Sequence, residues 1–445
     1  MQVPLETQSP SAAEPLSMLG RLLSPVRQSR AFTYLWLGQL IAMLGSSVTM
    51  IILPIVVYNL TGSTTMMGLA MTIYILPNVL VLPLSGWIVD HTDRVRLILF
   101  TNTVRFAIML TGAILIFTDQ LTLPRLYTGL AVYGLMDGIF NPAYAALRAE
   151  IFTTDIRNAA NALSQMSIQG VRLLGPSLGG LLVTFTSPGS GFALDSLTYL
   201  ISLICFMMLG RHFVSSRRSA AADNRLSDEE DNRGIKHTRP DPARASIWQD
   251  LLEGVWILKK VPWLWITIVI FSLLNICYQG IIAVMVPWLF KVHHQLTPLL
   301  YGLAMAATGI GAIIGALIFG SRIHWRRRGW IGYGGALLSG IALLLLSVIT
   351  WTPGLIMVMM LEGFGLMMFA LVWETSLQEM VPTESFGRVV SLDMLGSFAL
   401  LPVGYLLVGW LADQIGGILT IGIFAGSGML LVILGLCIPA IRRFD

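Results

Sequence analysis

The chain has 445 residues, of which 55% are hydrophobic and only 12% charged. Soluble domains carry about 25% charged residues, so the composition excludes a soluble protein and points to an integral membrane protein. The formal charge is +4, but the basic residues are spread over alternate loops, so it gives no argument for a nucleic-acid partner.

Taken in order, the chain opens with about 30 polar, Pro-containing residues that lack the short apolar core of a cleavable signal. Leu16, Leu19, Leu22 and Leu23 can form a short interfacial helix there. A membrane span needs about 20 apolar residues, and the periodicity predicts twelve of them. Spans 1 to 6 cover 31–58, 64–89, 95–117, 124–147, 158–185 and 191–209. Spans 7 to 12 cover 262–290, 298–320, 329–349, 353–378, 386–411 and 416–441. The expected fold class is all-α: twelve transmembrane helices in two six-helix bundles. The segments are a cytoplasmic N-terminal stretch (1–30), a first bundle (31–210), a linker (211–261), a second bundle (262–441) and a tail (442–445). The linker mixes charge and proline and reads as flexible, partly disordered chain. Ile247, Leu251, Val255 and Leu258 near its end repeat at the spacing of a short amphipathic helix.

Arg94, Arg96, Arg148, Arg157, Arg211, Arg322, Arg328, Arg388 and Arg442 fall on one side of this topology. Arg125 and Lys291 fall on the other. Positive charge marks the cytoplasmic side, so both termini are expected in the cytoplasm of a multi-pass plasma-membrane protein.

The loop after span 2 runs Gly86-Trp-Ile-Val-Asp-His-Thr-Asp-Arg-Val-Arg96. Gly86 lets two helices approach closely. Asp90 and Arg94 are four apart and can pair or cap helix ends. The pattern Gly-x-x-x-Asp-x-x-x-Arg at this place resembles the loop between helices 2 and 3 of the major facilitator superfamily. Asp93 stands where that pattern usually has Gly, a departure frequent in the drug-exporter and macrolide-efflux-like branch. In span 5, Gly175-Pro-Ser-Leu-Gly-Gly180 resembles the antiporter motif of proton-coupled exporters in that superfamily. Arg172, Asn141-Pro-Ala-Tyr144 and Phe386-Gly-Arg-Val389 are similar to the same branch. Read as packing alone, Gly175, Gly179 and Gly180 leave one flat face and Pro176 permits a bend. Phe140 and Glu150 in span 4, and Phe369 and Glu379 in span 10, are each ten apart. Such echoes between halves favour parallel repeats.

Charges inside spans cost about 2.5–3.5 kcal/mol each at mid-bilayer and therefore carry the most weight. Arg105, Asp137, Arg172, Glu362, Glu374 and Asp393 are such positions. Their alternative reading is structural, with Arg105 and Arg172 neutralising Asp137. The resemblance implies that spans 1, 4, 7 and 10 line a central cavity. Helical spacing places Tyr133, Asp137, Asn141 and Tyr144 on one face of span 4. It groups Glu362, Phe369 and Trp373 in span 10, Asn275, Tyr278 and Gln279 in span 7, and Gln39, Met43 and Ser46 in span 1. Packing explains each aromatic stripe equally well. Glu374 and Asp393 are expected to meet loop arginines such as Arg388 or to help close the inner gate, and Asp195 to cap a helix at the outer face. Glu150 can pair with Arg94 and lock the inward-closed state.

These readings lead to export of a small amphipathic molecule in exchange for protons, by alternating access. Burial disfavours the charged form of a carboxylate, so Asp137 and Glu362 are the candidates for proton coupling, with Arg172 beside them. Partners are the substrate, protons and the lipid bilayer, acting on a monomer. Import, or lipid or metallophore movement, is the runner-up on the same scaffold. A transport-dead sensor or a membrane enzyme is the alternative from another class. No cofactor, metal or catalytic residue is expected: His293 and His294 are adjacent with no third ligand nearby. Cys205, Cys277 and Cys437 have no metal-ligand spacing and read as buried small hydrophobes.

Overall fold

Backbone in hydrocarbon must satisfy its own N–H and C=O groups, and the apolar runs accordingly fold as helices. The computed structural model describes residues 23–153, 155–228, 261–320, 327–381 and 383–442. Side chains at 90, 158, 212–228, 383–388 and 390–391 lie outside that description. Among the described residues, the first six long helices are α1 Arg30–Thr61, α2 Thr64–His91, α3 Arg94–Phe117, α4 Leu123–Ile151, α5 Arg157–Phe185 and α6 Pro188–Asp228. Helix α7 begins as Pro262–Gly280 and continues through π-helical Ile281–Met285, Val286–Trp288 and π-helical Leu289–His293. Then follow α8 Pro298–Gly320, α9 Arg328–Leu345 and α10 Thr352–Met380. Helix α11 has two segments, Thr383–Ala399 and Leu401–Ile415, and α12 is Gly417–Cys437. Eleven of these are long and apolar enough to cross a membrane. The other is α4, which carries Arg125, Asp137, Arg148 and Glu150 yet packs along α2 and α3 in the same bundle.

Local chemistry sets the sharp turns. Gly62 ends α1 at φ 64° with its N–H on the Tyr58 carbonyl, a left-handed cap that favours glycine. Ser63 accepts from the Met66 N–H to start α2. Asp93 accepts from the Arg96 N–H to start α3, so the residue that departs from the family pattern is an N-cap.

Three expectations change. Helix α6 runs on to Asp228, so the first part of the 211–261 linker is helical. The rest, including Ile247 to Leu258, lies outside the described residues. Helix α11 breaks at Leu400, one residue before Leu401-Pro402, whereas α5 runs unbroken through Pro176. Cys437 is exposed, unlike Cys205 and Cys277.

Helix pairings repeat between halves. Helix α1 packs on α5 and α6, α2 on α4, and α3 on α4 and α6. Correspondingly α7 packs on α11 and α12, α8 on α10, and α9 on α10 and α12. Close crossings use small residues: a Cβ at Gly134 of α4 would overlap the Tyr74 carbonyl of α2.

The halves meet through α5 with α8 and α2 with α11. Gly180 and Pro176 touch the backbone at Pro298 and Gly302. Thr64, Gly68 and Thr72 touch α11 at Gly409, Tyr405 and Pro402. All of these lie toward the membrane face away from the chain termini, called here the opposite face. Farther along the same stripe of α2, Leu82 and Gly86 are exposed, and a Cβ at Gly86 would meet nothing within 4 Å. The halves therefore join at the opposite face and part toward the termini. Among the described residues Gly86 makes no close helix approach, contrary to the sequence expectation, because its side of α2 faces the parted region.

Candidate transport pathway

The first half has a polar interior built from α1, α2, α3, α4 and α6. Arg105 of α3 pairs with Asp137 of α4 at 3.0 Å and donates to the Met136 carbonyl. Its guanidinium lies over the Phe140 ring, 4.2 Å from the centroid. Tyr74 of α2 donates to the other Asp137 oxygen at 2.7 Å. Tyr133 and Tyr199 share a hydrogen bond of 2.6 Å, and both reach the Ser46 hydroxyl. Thr49 donates to Asp195 at 2.6 Å. Asp195 is fully buried, not a cap at the surface. Asp137 thus meets a cation and a phenol, and its ion partner is Arg105.

The second half differs. Glu362 of α10 is 1% exposed. One of its oxygens accepts from Ser339 of α9 at 3.3 Å, and among the described residues the other meets no donor. Near the termini, Arg94 at the start of α3 pairs with Glu150 near the end of α4 at 3.1 Å. Arg328 at the start of α9 pairs with Glu379 near the end of α10. These equivalent ties give the repeat its register. Arg105 and Ser339 each lie eleven residues beyond the paired arginine, so they correspond. Glu362 and Tyr133 each lie seventeen residues before the paired glutamate. The two carboxylates are therefore not equivalent: Glu362 stands where the first half has Tyr133, one turn from Asp137.

At the opposite face the carboxylate of Asp413, on α11, receives the N–H groups of Thr64 and Thr65, both at 2.9 Å. It also accepts the hydroxyls of Ser63, Thr64 and Thr65 at 2.6 Å each. One half thus caps the first turn of a helix in the other, where a negative charge is favoured.

Two six-helix repeats, clamped at one face and parted at the other around buried charge, match the repeat architecture found in membrane transporters. The family model described as Major Facilitator Superfamily matches residues 35–400. The chain belongs to the Major Facilitator Superfamily. It is similar to macrolide efflux protein A of Streptococcus pyogenes, 22% identical over 415 residues, covering 93% of this chain and 96% of that one. It is also similar to the multidrug efflux pump Tap of Mycolicibacterium fortuitum, 20% identical over 410 residues, covering 90% and 94%. In fold it resembles the crystal structure of peptide transporter POT in complex with sulfate. The TM-score is 0.67 at 15% identity, covering 93% of this chain and 95% of that one.

Within this superfamily scaffold the sequence-derived residues separate into groups. Arg172 is exposed on α5. At 100° per residue it lies across the helix from Leu174, Leu178, Leu181 and Phe185, the exposed apolar stripe. Asn161, Gln165 and Gln169 share its side, so α5 presents a polar face toward the parted region. Sequence reading missed those three, although the contrast between the two faces of α5 was their signal. Asn141 is exposed, and Tyr144 and Gln279 are partly so. Gln39 is partly buried, with Oε1 lacking a partner.

Other expectations for the cavity wall are corrected. Tyr133 and Glu362 are buried inside their own halves. Tyr278 is buried against Gly340 and Gly428 and donates to the Ala336 carbonyl. These side chains fill the narrow gaps that small residues leave between helices of one half. Asn275 reaches the Ser397 carbonyl of α11 at 3.3 Å. Phe369 stacks on Phe271 with centroids 3.5 Å apart and on Trp373 at 6.0 Å, a contact between α7 and α10. Trp373 donates to Asp393, taking the place expected for a loop arginine; the Arg388 side chain lies outside the described residues, as does that of Asp90. Gly175 and Gly179 face Ser47 and Val48 of α1, while Gly180 faces α8. The expected single flat face is thus two faces. The Arg94–Glu150 pair is formed while the halves are parted at that side, so it ties α3 to α4 and does not mark a closed state.

At the opposite face, His293 and His294 pack edge to face at 4.8 Å. Burial and the neighbouring imidazole push the His294 pKa below the ordinary histidine value. Among the described residues, no three His, Cys, Asp or Glu side chains are grouped to hold a metal ion.

Proposed function

We propose that this transporter exports a small amphipathic molecule in exchange for protons, with Glu362 as the proton carrier. The observation that carries the reading is the Glu362 carboxylate: buried and, among the described residues, without a cation, with one hydroxyl partner and one oxygen facing no donor. A proton completes that hydrogen bonding, and an intramembrane carboxylate is by default a functional candidate. Asp137, held by Arg105 and Tyr74, links the motion of α2, α3 and α4 to the charge state of the site. Arg172, Gln165 and Gln169 face the substrate from α5, with Asn141, Tyr144 and Gln279 on other helices. The efflux-type relatives support the outward direction. The basic loops support a cytoplasmic placement of the termini and hence access from the cytoplasm in this conformation. One proton moving inward down 100 mV supplies about 2.3 kcal/mol, which drives export against a gradient.

The test is flux in inside-out vesicles loaded with a pH dye. Cationic, neutral and zwitterionic amphipathic compounds are added to wild type, Glu362→Gln and Asp137→Asn. Compound-driven proton release in wild type that Glu362→Gln abolishes supports the reading. Compound movement with no proton flux, even under an imposed gradient, rejects antiport.

A further inference from the structure

The outer flank of the first half carries a groove of about 450 Å³ that the transport reading does not use. It runs between α3 and α4, with Phe192 of α6 among its lining residues. On α3 it extends from Thr103 to Leu115. Those positions are twelve residues apart, roughly 18 Å along a helix axis, against about 15 Å for one leaflet of hydrocarbon. The groove therefore starts near mid-membrane and ends at the opposite face. Its surface is apolar. The hydroxyls of Thr103 and Thr128 bond backward to the Leu99 and Pro124 carbonyls of their own helices, so their donors are used within those helices. Gly129 supplies the depth on α4, where a Cβ would meet only Ile108.

The mouth is different. Arg125, in the first turn of α4, lines the groove and is exposed. One terminal nitrogen donates to the Gln120 carbonyl at 2.7 Å, which fixes the guanidinium at the rim. Among the described residues its second terminal nitrogen meets no partner, and a guanidinium matches phosphate oxygens as a fork. Asp119, in the loop between α3 and α4, is exposed and makes no ion pair with Arg125 among the described residues.

We propose that this groove is a phospholipid site, with one acyl chain along α3 and α4 and the phosphate on Arg125. The leaflet-deep apolar length and the cation at headgroup depth together match that one ligand. The site is separate from the parted region between the halves. Its occupant braces the two helices that carry Arg105 and Asp137, so it acts on the scaffold and does not depend on which molecule is transported.

The experiment is native mass spectrometry of the full chain released from nanodiscs of phosphatidylglycerol, with the diacylglycerol of the same tails as competitor. Wild type is expected to retain one phospholipid through delipidation, and diacylglycerol to leave it in place. Arg125→Gln is expected to lower retention about tenfold or more, the loss of one charge-assisted hydrogen bond. Gly129→Leu fills the groove with a better helix former and is expected to abolish retention while the helical circular dichroism is kept. Equal retention in Arg125→Gln, or equal displacement by diacylglycerol, overturns the proposal. So does displacement by amphipathic cations in place of lipid, which would make the groove a side entrance for substrate.

Discussion

Arg105 is 3% exposed between the Asp137 carboxylate and the face of Phe140. Removing one member of a buried ion pair strands the other charge and costs about 3–5 kcal/mol. Arg105→Met is therefore expected to destabilise the protein in detergent by about that amount, and Asp137→Asn by less, because asparagine can still accept from Tyr74. The double substitution is expected to recover part of the loss, a coupling that a double-mutant cycle measures. Additive losses would show that the pair is not coupled. Asp195 offers a separate check at the same scale. Its carboxylate is satisfied by hydroxyls alone, and Gly45 of α1 leaves the space it occupies. Gly45→Ala places a methyl on Thr198 and Asp195 and is expected to cost about 1–3 kcal/mol, read as a lower melting temperature.

Among the helices, α2 is the clearest case of position deciding the weight of a glycine. Where α4 crosses it, Gly134 lies on the Tyr74 backbone, and Gly134→Ala must push the two helices apart. A loss of about 1–3 kcal/mol is expected, together with a weaker Tyr74–Asp137 contact. Gly86→Ala, in open space, is expected to change stability by about 0.5 kcal/mol or less. Melting curves of the two variants side by side test both statements. Helix α7 changes differently along its length: its opposite-face half takes π-helical turns around Pro287, where it packs on α1 and α2. Such turns are common at functional sites, and here they lie at the contact between the halves.

For the molecule as a whole, the Asp413 clasp holds the opposite face shut. A lost helix cap costs about 0.5–2 kcal/mol, so Asp413→Ala is expected to favour opening of this face by about two- to thirtyfold. Cysteines placed on the opposite-face side of α5 and α8 should then label faster in the variant. Unchanged labelling would mean that the α5–α8 packing alone closes that face. Conditions that open this face in wild type should speed the same labelling.

Much of this architecture could be read directly from the chain. Apolar runs of about 20 residues and alternating loop charge define the spans, because the bilayer sets length and the interface sorts charge. The repeat was visible in Phe140 and Glu150 against Phe369 and Glu379, since a register preserved in tertiary ties is also preserved in spacing. The candidate Glu362 was visible because a charge in a span is conspicuous in any sequence. Its partner was not, since a helix spacing names a face but not what the face meets. Only the packing shows that Asp137 belongs to Arg105, that Tyr278 turns into its own bundle, and that Glu362 stands one turn out of register with Asp137. The same holds for Asp413, whose partners Thr64 and Thr65 are about 350 residues away. Composition and periodicity act within a segment and determined the fold; pairing across helices depends on distances that no single segment encodes, and only the tertiary structure decided it.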